Sequence, residues 1–224
     1  ETDINERFTK VIVNERIVAY INSLDRGNSP ICNTIEKEAI EDDVPIIRKE
    51  MGNLLKVLLG LKQPQSILEV GTAVGYSSIL MSENMPENCR ITTIENYEKR
   101  IPVAKNNFKR AGKEEVITLL EGDAMDILKE LDGTYDFIFM DAAKGQYINF
   151  LPELLRLMPA GGLLISDNVL QEGDIVESRY GVTRRNRTIH TRMREYIYTL
   201  THAEQLETSI VPIGDGITLS VKKG

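Results

Sequence analysis

Short apolar runs alternate with helical segments from residue 66 onward, and this alternation limits the possible folds more than any other feature of the chain. The first run, SILEV at 66–70, ends at Gly71 and leads into a predicted helix over about 75–84. Further strands are predicted at 90–95, 116–120, 135–141, 162–167, 205–211 and 216–222, and further helices at 97–111, 124–131, 146–157 and 186–201. Repeated strand–helix units are typical of a parallel sheet with helices on both faces. We therefore predict an α/β fold with seven strands, in which a closing hairpin makes the last strand antiparallel.

Three helices are predicted before the first strand. They cover residues 4–24, about 33–41 and 46–61. Pro30 is expected to interrupt the chain before the second helix, and Pro45 is expected to lie in the first turn of the third, where proline is tolerated.

Chain length and composition favour one domain. A chain of 224 residues with 42% hydrophobic residues can bury one substantial core. We predict a single domain over 1–224, with a helical segment at 1–62 and the sheet at 63–224.

The length of the apolar runs and the spacing of the cysteines indicate the cellular compartment. No apolar run approaches the ~20 residues that a membrane-spanning helix needs, so no membrane partner is expected. Cys32 and Cys89 lie far apart and form no CxxC motif. Neither a disulfide framework nor a zinc site is expected, which favours the reducing cytoplasm.

The turn after the first strand predicts a nucleotide-type cofactor. Gly71 and Gly75 let the backbone turn tightly and approach a ligand, and the next helix offers free N–H groups to an anion. Glu95 ends the second strand, where its carboxylate can accept hydrogen bonds from two ribose hydroxyls. The spacing is G-x-x-x-G, whereas a dinucleotide site prefers G-x-G-x-x-G. We therefore predict S-adenosylmethionine (SAM), whose carboxylate is the anion at the helix start; the alternative is a tight turn with no ligand.

Acidic residues also follow the third, fourth and fifth strands. Asp123 can accept a bond from the adenine amino group, although aspartate is equally favoured as a helix N-cap. Asp141 and the pair Asp167-Asn168 should lie close together, because adjacent parallel strands end at the same edge of a sheet. Two carboxylates and an amide oxygen suit a hard cation, so we predict Mg²⁺ or Mn²⁺. The alternative is that the two aspartates only cap a helix and a turn.

A basic segment stands out from an acidic chain. The net charge is −7, yet residues 177–194 contain six arginines and one glutamate. A net negative charge argues against general nucleic-acid binding, whereas a local basic patch favours an anionic partner. The alternative is an ordinary solvated helix face. Residues 169–185, which overlap this segment, are predicted to be irregular.

Six motifs between Ile67 and the C-terminus occur in an order that is characteristic of one enzyme family. The motifs are ILEVGTAVGYS, ITTIE, EGDA, FIFMDAAK, GGLLISDN and PIGDG. Together they resemble the cation-dependent O-methyltransferases of the catechol and caffeoyl-coenzyme A type. The resemblance implies a class I SAM-methyltransferase (Rossmann-like) fold, with SAM and a divalent metal as cofactors.

The same resemblance implies roles for individual residues. The implied SAM contacts are Glu69, Gly71, Ser77, Glu95, Asp123, Ala124 and Asp141. The implied metal ligands are Asp141, Asp167 and Asn168, and the implied catalytic residues are Asp141 and Lys144, with Lys144 as the base. Plant members tend to have a second acid where this chain has Ala143, which argues against a caffeoyl-type substrate.

Further motifs are similar to the bacterial tRNA 5-hydroxyuridine methyltransferase branch. They are VPI, DAAKGQYINF, DNVL, SRYGVTRRNRT and PIGDGITLSVKKG. This similarity implies methylation of a wobble 5-hydroxyuridine in the anticodon loop of tRNA, by a homodimer that pairs through its N-terminal helices. The expected RNA-binding residues are Arg179, Arg184, Arg185, Arg187 and Arg192. Two alternatives remain open: a small-molecule O-methyltransferase acting on catechol-like or acyl-CoA phenolic substrates, and a non-catalytic SAM- or RNA-binding protein.

Overall fold

A seven-stranded sheet forms the centre of the molecule. The computed structural model describes residues 12–224. The strands are β1 (Ser66–Val70), β2 (Arg90–Glu95), β3 (Ile117–Glu121), β4 (Phe137–Met140), β5 (Leu163–Ser166), β6 (Leu206–Val211) and β7 (Ile217–Lys222). Their order in the sheet is β3-β2-β1-β4-β5-β7-β6, in which β1 to β5 are parallel and β7 is antiparallel to β5 and β6. The predicted α/β fold with an antiparallel last strand is confirmed.

Helices cover both faces of this sheet. They are α1 (Glu15–Ser23), α2 (Pro30–Glu41), α3 (Lys49–Lys62), α4 (Tyr76–Asn84), α5 (Ile101–Arg110), α6 (Ala124–Glu130), α7 (Tyr147–Leu157) and α8 (Arg187–His202). Successive side chains of a strand point to opposite faces. In β4, Phe137 and Phe139 join an apolar cluster with α2, α3 and α4, whereas Ile138 and Met140 join a second cluster with α7 and α8. No helix within residues 12–224 is both long and apolar enough to cross a membrane.

Pro30 begins a helix instead of interrupting the chain before one. It lies in the first turn of α2, three residues before the predicted helix start. The missing N–H of a proline costs nothing there, because the first N–H groups of a helix have no partner within it. Ser29 caps the helix by accepting a hydrogen bond from the Cys32 N–H at 3.2 Å.

The expectation that Pro45 lies in a first helical turn is wrong. Helix α3 begins at Lys49, and Arg48 before it has an extended backbone with ψ 155°. The residues between Pro45 and Arg48 are not helical. Among them Ile47 is buried in the apolar cluster beside α3, so this stretch packs as a loop at the end of the sheet.

The first helix is shorter than predicted. Of the predicted range 4–24, residues 1–11 lie outside the described residues, and the structure has a helix only over Glu15–Ser23. Asn14 caps it by accepting a hydrogen bond from the Arg16 N–H at 3.0 Å. The other predicted elements agree with the structure to within a few residues.

The strand order reverses between β1 and β4, and ligands of such sheets bind in the crevice at this point. The chains leaving the two strands run very close together, since the Asp141 N–H donates to the Val70 carbonyl at 3.0 Å. Gly71 has φ +105°, and a Cβ added there would lie 2.1 Å from the Asp141 carbonyl oxygen. Only glycine fits this position.

We expect Gly71→Ala to lower the free energy of unfolding by at least ~2 kcal/mol, because the methyl group strains the backbone and collides with the Asp141 carbonyl. Gly60→Ala is the matched control. A Cβ at Gly60 meets nothing within 4 Å, and alanine in helix α3 should stabilise it by up to ~1 kcal/mol. Urea unfolding followed by circular dichroism measures both. Wild-type stability of Gly71→Ala would contradict the close approach of the two loops.

Candidate active site

A cleft of about 590 Å³ lies at the carboxyl edge of the sheet. Its volume is in the range of small-ligand pockets, roughly 300–1,000 Å³. The predicted site residues that line it are Gly71, Ser77, Glu95, Asp123, Ala124, Asp141, Lys144, Asp167 and Asn168. The fold therefore brings residues from the ends of β1 to β5 into one site.

Glu95 organises the cofactor end of the cleft. One carboxylate oxygen accepts the Ala73 N–H at 2.7 Å, and the other accepts the N–H groups of Asn96 and Tyr97 at 3.0 and 2.9 Å. Ala73 itself has φ 48°, a left-handed conformation that is uncommon outside glycine. The carboxylate thus holds the tight turn after β1 and still lines the cleft, where a ribose could reach it.

Glu69 lies beneath this turn and not among the residues that line the cleft. It is fully buried, and its carboxylate accepts hydrogen bonds from the hydroxyls of Ser77, Ser78 and Thr93, the last at 2.6 Å. Burial raises the pKa of Glu69 to about 7, against the opposing effect of these hydroxyls. The residue supports the turn from below, and its predicted contact with SAM stays a prediction.

Asp123 is the N-cap of α6. Its side chain accepts a hydrogen bond from the Met125 N–H at 2.8 Å. Because it also lines the cleft, the capping role and the predicted contact with adenine are compatible, since a carboxylate has lone pairs for both.

Asp141 and Asp167 follow neighbouring strands, as predicted. Burial raises the pKa of both carboxyls, and the nearby charge of Asp141 adds to the effect on Asp167, whose pKa rises to about 7. Asn168 adopts a left-handed conformation with φ 56°, and its N–H donates to Asp167 at 2.7 Å. A buried and a half-buried carboxylate that disfavour each other's charge create a site that a cation would stabilise.

Lys144 points along the same edge of the sheet. It begins a short 3₁₀ turn, Lys144–Gln146, and its Nζ lies 3.4 Å from a carboxylate oxygen of Asp215. Asp215 is buried in the turn between β6 and β7 and also accepts the Glu172 N–H. No sequence pattern had predicted a role for Asp215. The available signal was an acid in the PIGDG turn, at the edge where the other acids collect.

A second cavity of about 390 Å³ adjoins the cleft. Arg48, Glu172, Gly214 and Asp215 line both spaces, and Val18, Ala19 and Asn22 of α1 line the second. The N-terminal segment, which the sequence predicted to form helices that pair two subunits, therefore also contributes side chains beside the cleft.

The arginines of the basic segment differ in their surroundings. Arg187 lies over the ring of Tyr180 at 5.5 Å, and Arg192 donates to the Gly145 carbonyl at 3.0 Å. Arg179, Arg184 and Arg185 are exposed and form no ion pair within residues 12–224. Arg194 is also exposed, but it donates to the carbonyls of Ile175 and Glu177 at 3.2 and 3.4 Å. The segment is irregular before α8, as predicted, with 3₁₀ turns at Gln171–Val176 and Arg184–Asn186.

Comparison with known proteins decides the family. The sequence profile of a family described as O-methyltransferase matches residues 20–223. The chain belongs to this O-methyltransferase family. It is 34% identical to caffeoyl-CoA O-methyltransferase 2 of Populus trichocarpa over 182 residues, which are 75% of this chain and 71% of the relative. It is 37% identical to catechol O-methyltransferase of Niastella koreensis over 135 residues, which are 58% of this chain and 61% of the relative.

The methyltransferase is also similar to solved structures. The O-methyltransferase TomG from Streptomyces achromogenes, solved in complex with SAM, has a TM-score of 0.82 and 25% identity, and the match covers 93% of this chain and 96% of TomG. The protein is a SAM-dependent O-methyltransferase of the caffeoyl-CoA and catechol type, and the cleft at the carboxyl edge is its candidate active site.

We expect Glu95→Ala to weaken SAM binding by ~2–3 kcal/mol, because it removes a charged acceptor of the ribose hydroxyls and releases the turn at Ala73. Glu121→Ala is the matched control. Glu121 is the register partner of Glu95 on β3, but its carboxylate pairs with Lys105 and is half exposed. Isothermal titration calorimetry measures both affinities. Equal SAM affinity in Glu95→Ala and Glu121→Ala would remove Glu95 from the cofactor site.

Proposed function

We propose that this methyltransferase transfers the methyl group of SAM to the 5-hydroxyl of 5-hydroxyuridine at the wobble position of tRNA, with the help of a divalent metal. The observation that carries the proposal is the basic segment, which contacts the cleft-lining turn Lys144–Gln146 through Arg192. Its exposed arginines can bind phosphates, and Tyr180, 82% exposed, offers a ring on which a base can stack. A wobble base already lies in a single-stranded loop, so it can enter the cleft without breaking a base pair.

The side chains at the ends of β4 and β5 fit a hard divalent cation. Within residues 12–224 no three His, Cys, Asp or Glu side chains form a group that could hold a metal. The proposed set is instead two carboxylates and one amide, from Asp141, Asp167 and Asn168. Mg²⁺ commonly takes only one or two carboxylates and leaves its other positions to water and substrate. Burial raises the pKa of both carboxyls, and the nearby charge of Asp141 adds to the rise at Asp167, so a cation bound there would stabilise both charged forms.

The chain's own residues then order the reaction. Glu95 and the turn after β1 hold SAM so that its methyl carbon faces the acceptor oxygen in line, which lowers the entropic part of the barrier. Asp141, Asp167 and Asn168 would hold the cation, which when bound would make the acceptor hydroxyl more acidic. The oxygen bonds to the methyl carbon, the carbon–sulfur bond breaks, and the hydroxyl proton leaves. Lys144 is the proposed proton acceptor; because an ammonium in an ion pair has no lone pair, it must first lose a proton.

A small phenol is the second candidate acceptor. The named relatives act on caffeoyl-CoA and on catechol, and a catechol has the same pair of neighbouring oxygens as the C5 hydroxyl and C4 carbonyl of 5-hydroxyuridine. The second cavity beside Asp215, of about 390 Å³, is large enough for the remainder of a small phenol.

We also propose that two copies of the chain pair through their N-terminal helices. None of the side chains of α1 is buried. Exposed apolar residues on it and at its C-cap are Ile17, Tyr20, Ile21 and Leu24. An exposed apolar helix face of this kind is typical of a surface that a partner covers.

We expect chelation by EDTA to abolish most methyl transfer, and added Mg²⁺ or Mn²⁺ to restore it. Asp167→Ala should lose most activity in the same assay, since it removes a charged ligand, and should retain its fold by circular dichroism. Asp174→Ala, which changes an acid in the neighbouring 3₁₀ turn that does not line the cleft, is the control. Full turnover in excess chelator would rule out the metal.

We expect Arg184→Glu combined with Arg185→Glu to destroy tRNA methylation and to spare SAM binding, because the exposed cations no longer attract phosphates. Wild-type affinity for tRNA should fall steeply with rising salt. Lys109→Glu with Lys129→Glu makes the same change in net charge at exposed positions of α5 and α6 and is the control. Wild-type methylation of 5-hydroxyuridine-containing tRNA by the arginine double variant would show that this segment does not bind the substrate.

A further inference from the structure

Helix α8 contacts the segments that carry active-site residues at more than one point. The Tyr196 hydroxyl lies 2.6 Å from the hydroxyl of Ser166, the residue before Asp167. The Tyr196 ring also packs edge-on against Tyr147, with ring centroids 5.5 Å apart. Tyr147 in turn donates to the backbone carbonyl of Asp167 at 3.1 Å. Both tyrosines are fully buried, so α8 supports the end of β5 through rigid contacts.

Arg192 makes the corresponding contact at the end of β4. It lies one helical turn before Tyr196 on α8, and its guanidinium donates to the Gly145 carbonyl at 3.0 Å. Gly145 is the residue after Lys144 in the short 3₁₀ turn. A Cβ at Gly145 would lie 3.7 Å from Ile189 and 4.0 Å from the Arg192 guanidinium. The helix and the turn are therefore in direct contact.

The Arg192 contact adds to others that hold this turn, which include the Gln146 N–H bond to the Ala143 carbonyl at 2.8 Å and the ion pair of Lys144 with Asp215. A 3₁₀ turn of three residues has few internal hydrogen bonds and strained hydrogen-bond geometry. An arginine that donates to a backbone carbonyl supplies a charge-assisted bond, which is stronger than a neutral one. Arg192 is also half buried, which makes it less available to an RNA phosphate than the exposed Arg184 and Arg185.

We propose that Arg192 is a positioning residue, which fixes the turn that carries Lys144 through the Gly145 carbonyl, and that it is not an RNA contact. The inference rests on the proposed function in one respect, the role of Lys144 in the reaction. This proposal assigns two different functions to arginines of the basic segment. The exposed arginines before α8 attract the substrate, and Arg192 within α8 holds the catalytic turn.

The test compares kcat with KM in the full-length protein with SAM and Mg²⁺, for tRNA that contains 5-hydroxyuridine and for catechol. Arg192→Gln should lower kcat at least tenfold for every acceptor that the wild type methylates, with KM changed less than threefold. Arg192→Lys, which keeps a donor and the charge, should recover part of the loss. Arg194→Gln is the matched control, because Arg194 lies on the same helix and donates to the carbonyls of Ile175 and Glu177 instead.

A second comparison separates this inference from the proposed function. Lys144→Ala and the double variant with Arg192→Gln are measured beside the single variants. If Arg192 acts through Lys144, the double variant should be little slower than Lys144→Ala, because the two losses are not additive. A wild-type kcat in Lys144→Ala would overturn the proposed role of Lys144. An inactive Lys144→Ala beside an Arg192→Gln variant that changes only the KM for tRNA would overturn the positioning role alone.

Discussion

The carboxylate of Glu69 is fully buried in β1, and three hydroxyl groups from α4 and β2 donate to it. A buried carboxylate is tolerated only when its hydrogen bonds are satisfied. These bonds join β1, β2 and α4 below the turn at Gly71, and they fix where that turn lies. Glu95 then holds the same turn from above through Ala73. The cofactor end of the cleft therefore depends on two buried carboxylates, Glu69 beneath the turn for support and Glu95 lining the cleft for binding.

The order of the strands in the sheet sets the order of the functional side chains along its carboxyl edge. The end of β3 carries Asp123 and the end of β2 carries Glu95, whereas Asp141, Asp167 and Asp215 follow in the direction of β7. Neighbouring strands are ~4.8 Å apart, so the end of each successive strand adds about one functional group along the cleft. In the proposed function, the nucleoside of SAM occupies one end of the cleft, and the metal and acceptor occupy the other. The functional groups follow one another along the cleft in the order of the strands beneath them.

Much of this arrangement could be predicted because it is local. Apolar runs that stop at Asp141 and Asp167 locate two strand ends, and parallel strands align those ends whatever the rest of the fold. The pairing of Lys144 with Asp215 could not be predicted, because these residues come together only when β7 pairs with β5. The sequence did not predict that Arg48 lines the cleft, for a similar reason. Pro45 suggested a helix at this point, whereas the tertiary packing of Ile47 favours a loop. Burial of Glu69 beneath the turn likewise depends on Ser78 and Thr93, which no local pattern connects to it.

The position of β7 has a consequence for how the protein is made. β7 follows the other strands in the chain, yet it lies inside the sheet, between β5 and β6. Until the ribosome has released Ile217–Lys222, the nascent chain carries two unpaired strand edges, and such edges invite pairing with other chains. Asp215, immediately before β7, arrives with it. The same event that closes the sheet thus brings the partner of Lys144 into place, so a partly synthesised enzyme lacks a complete site.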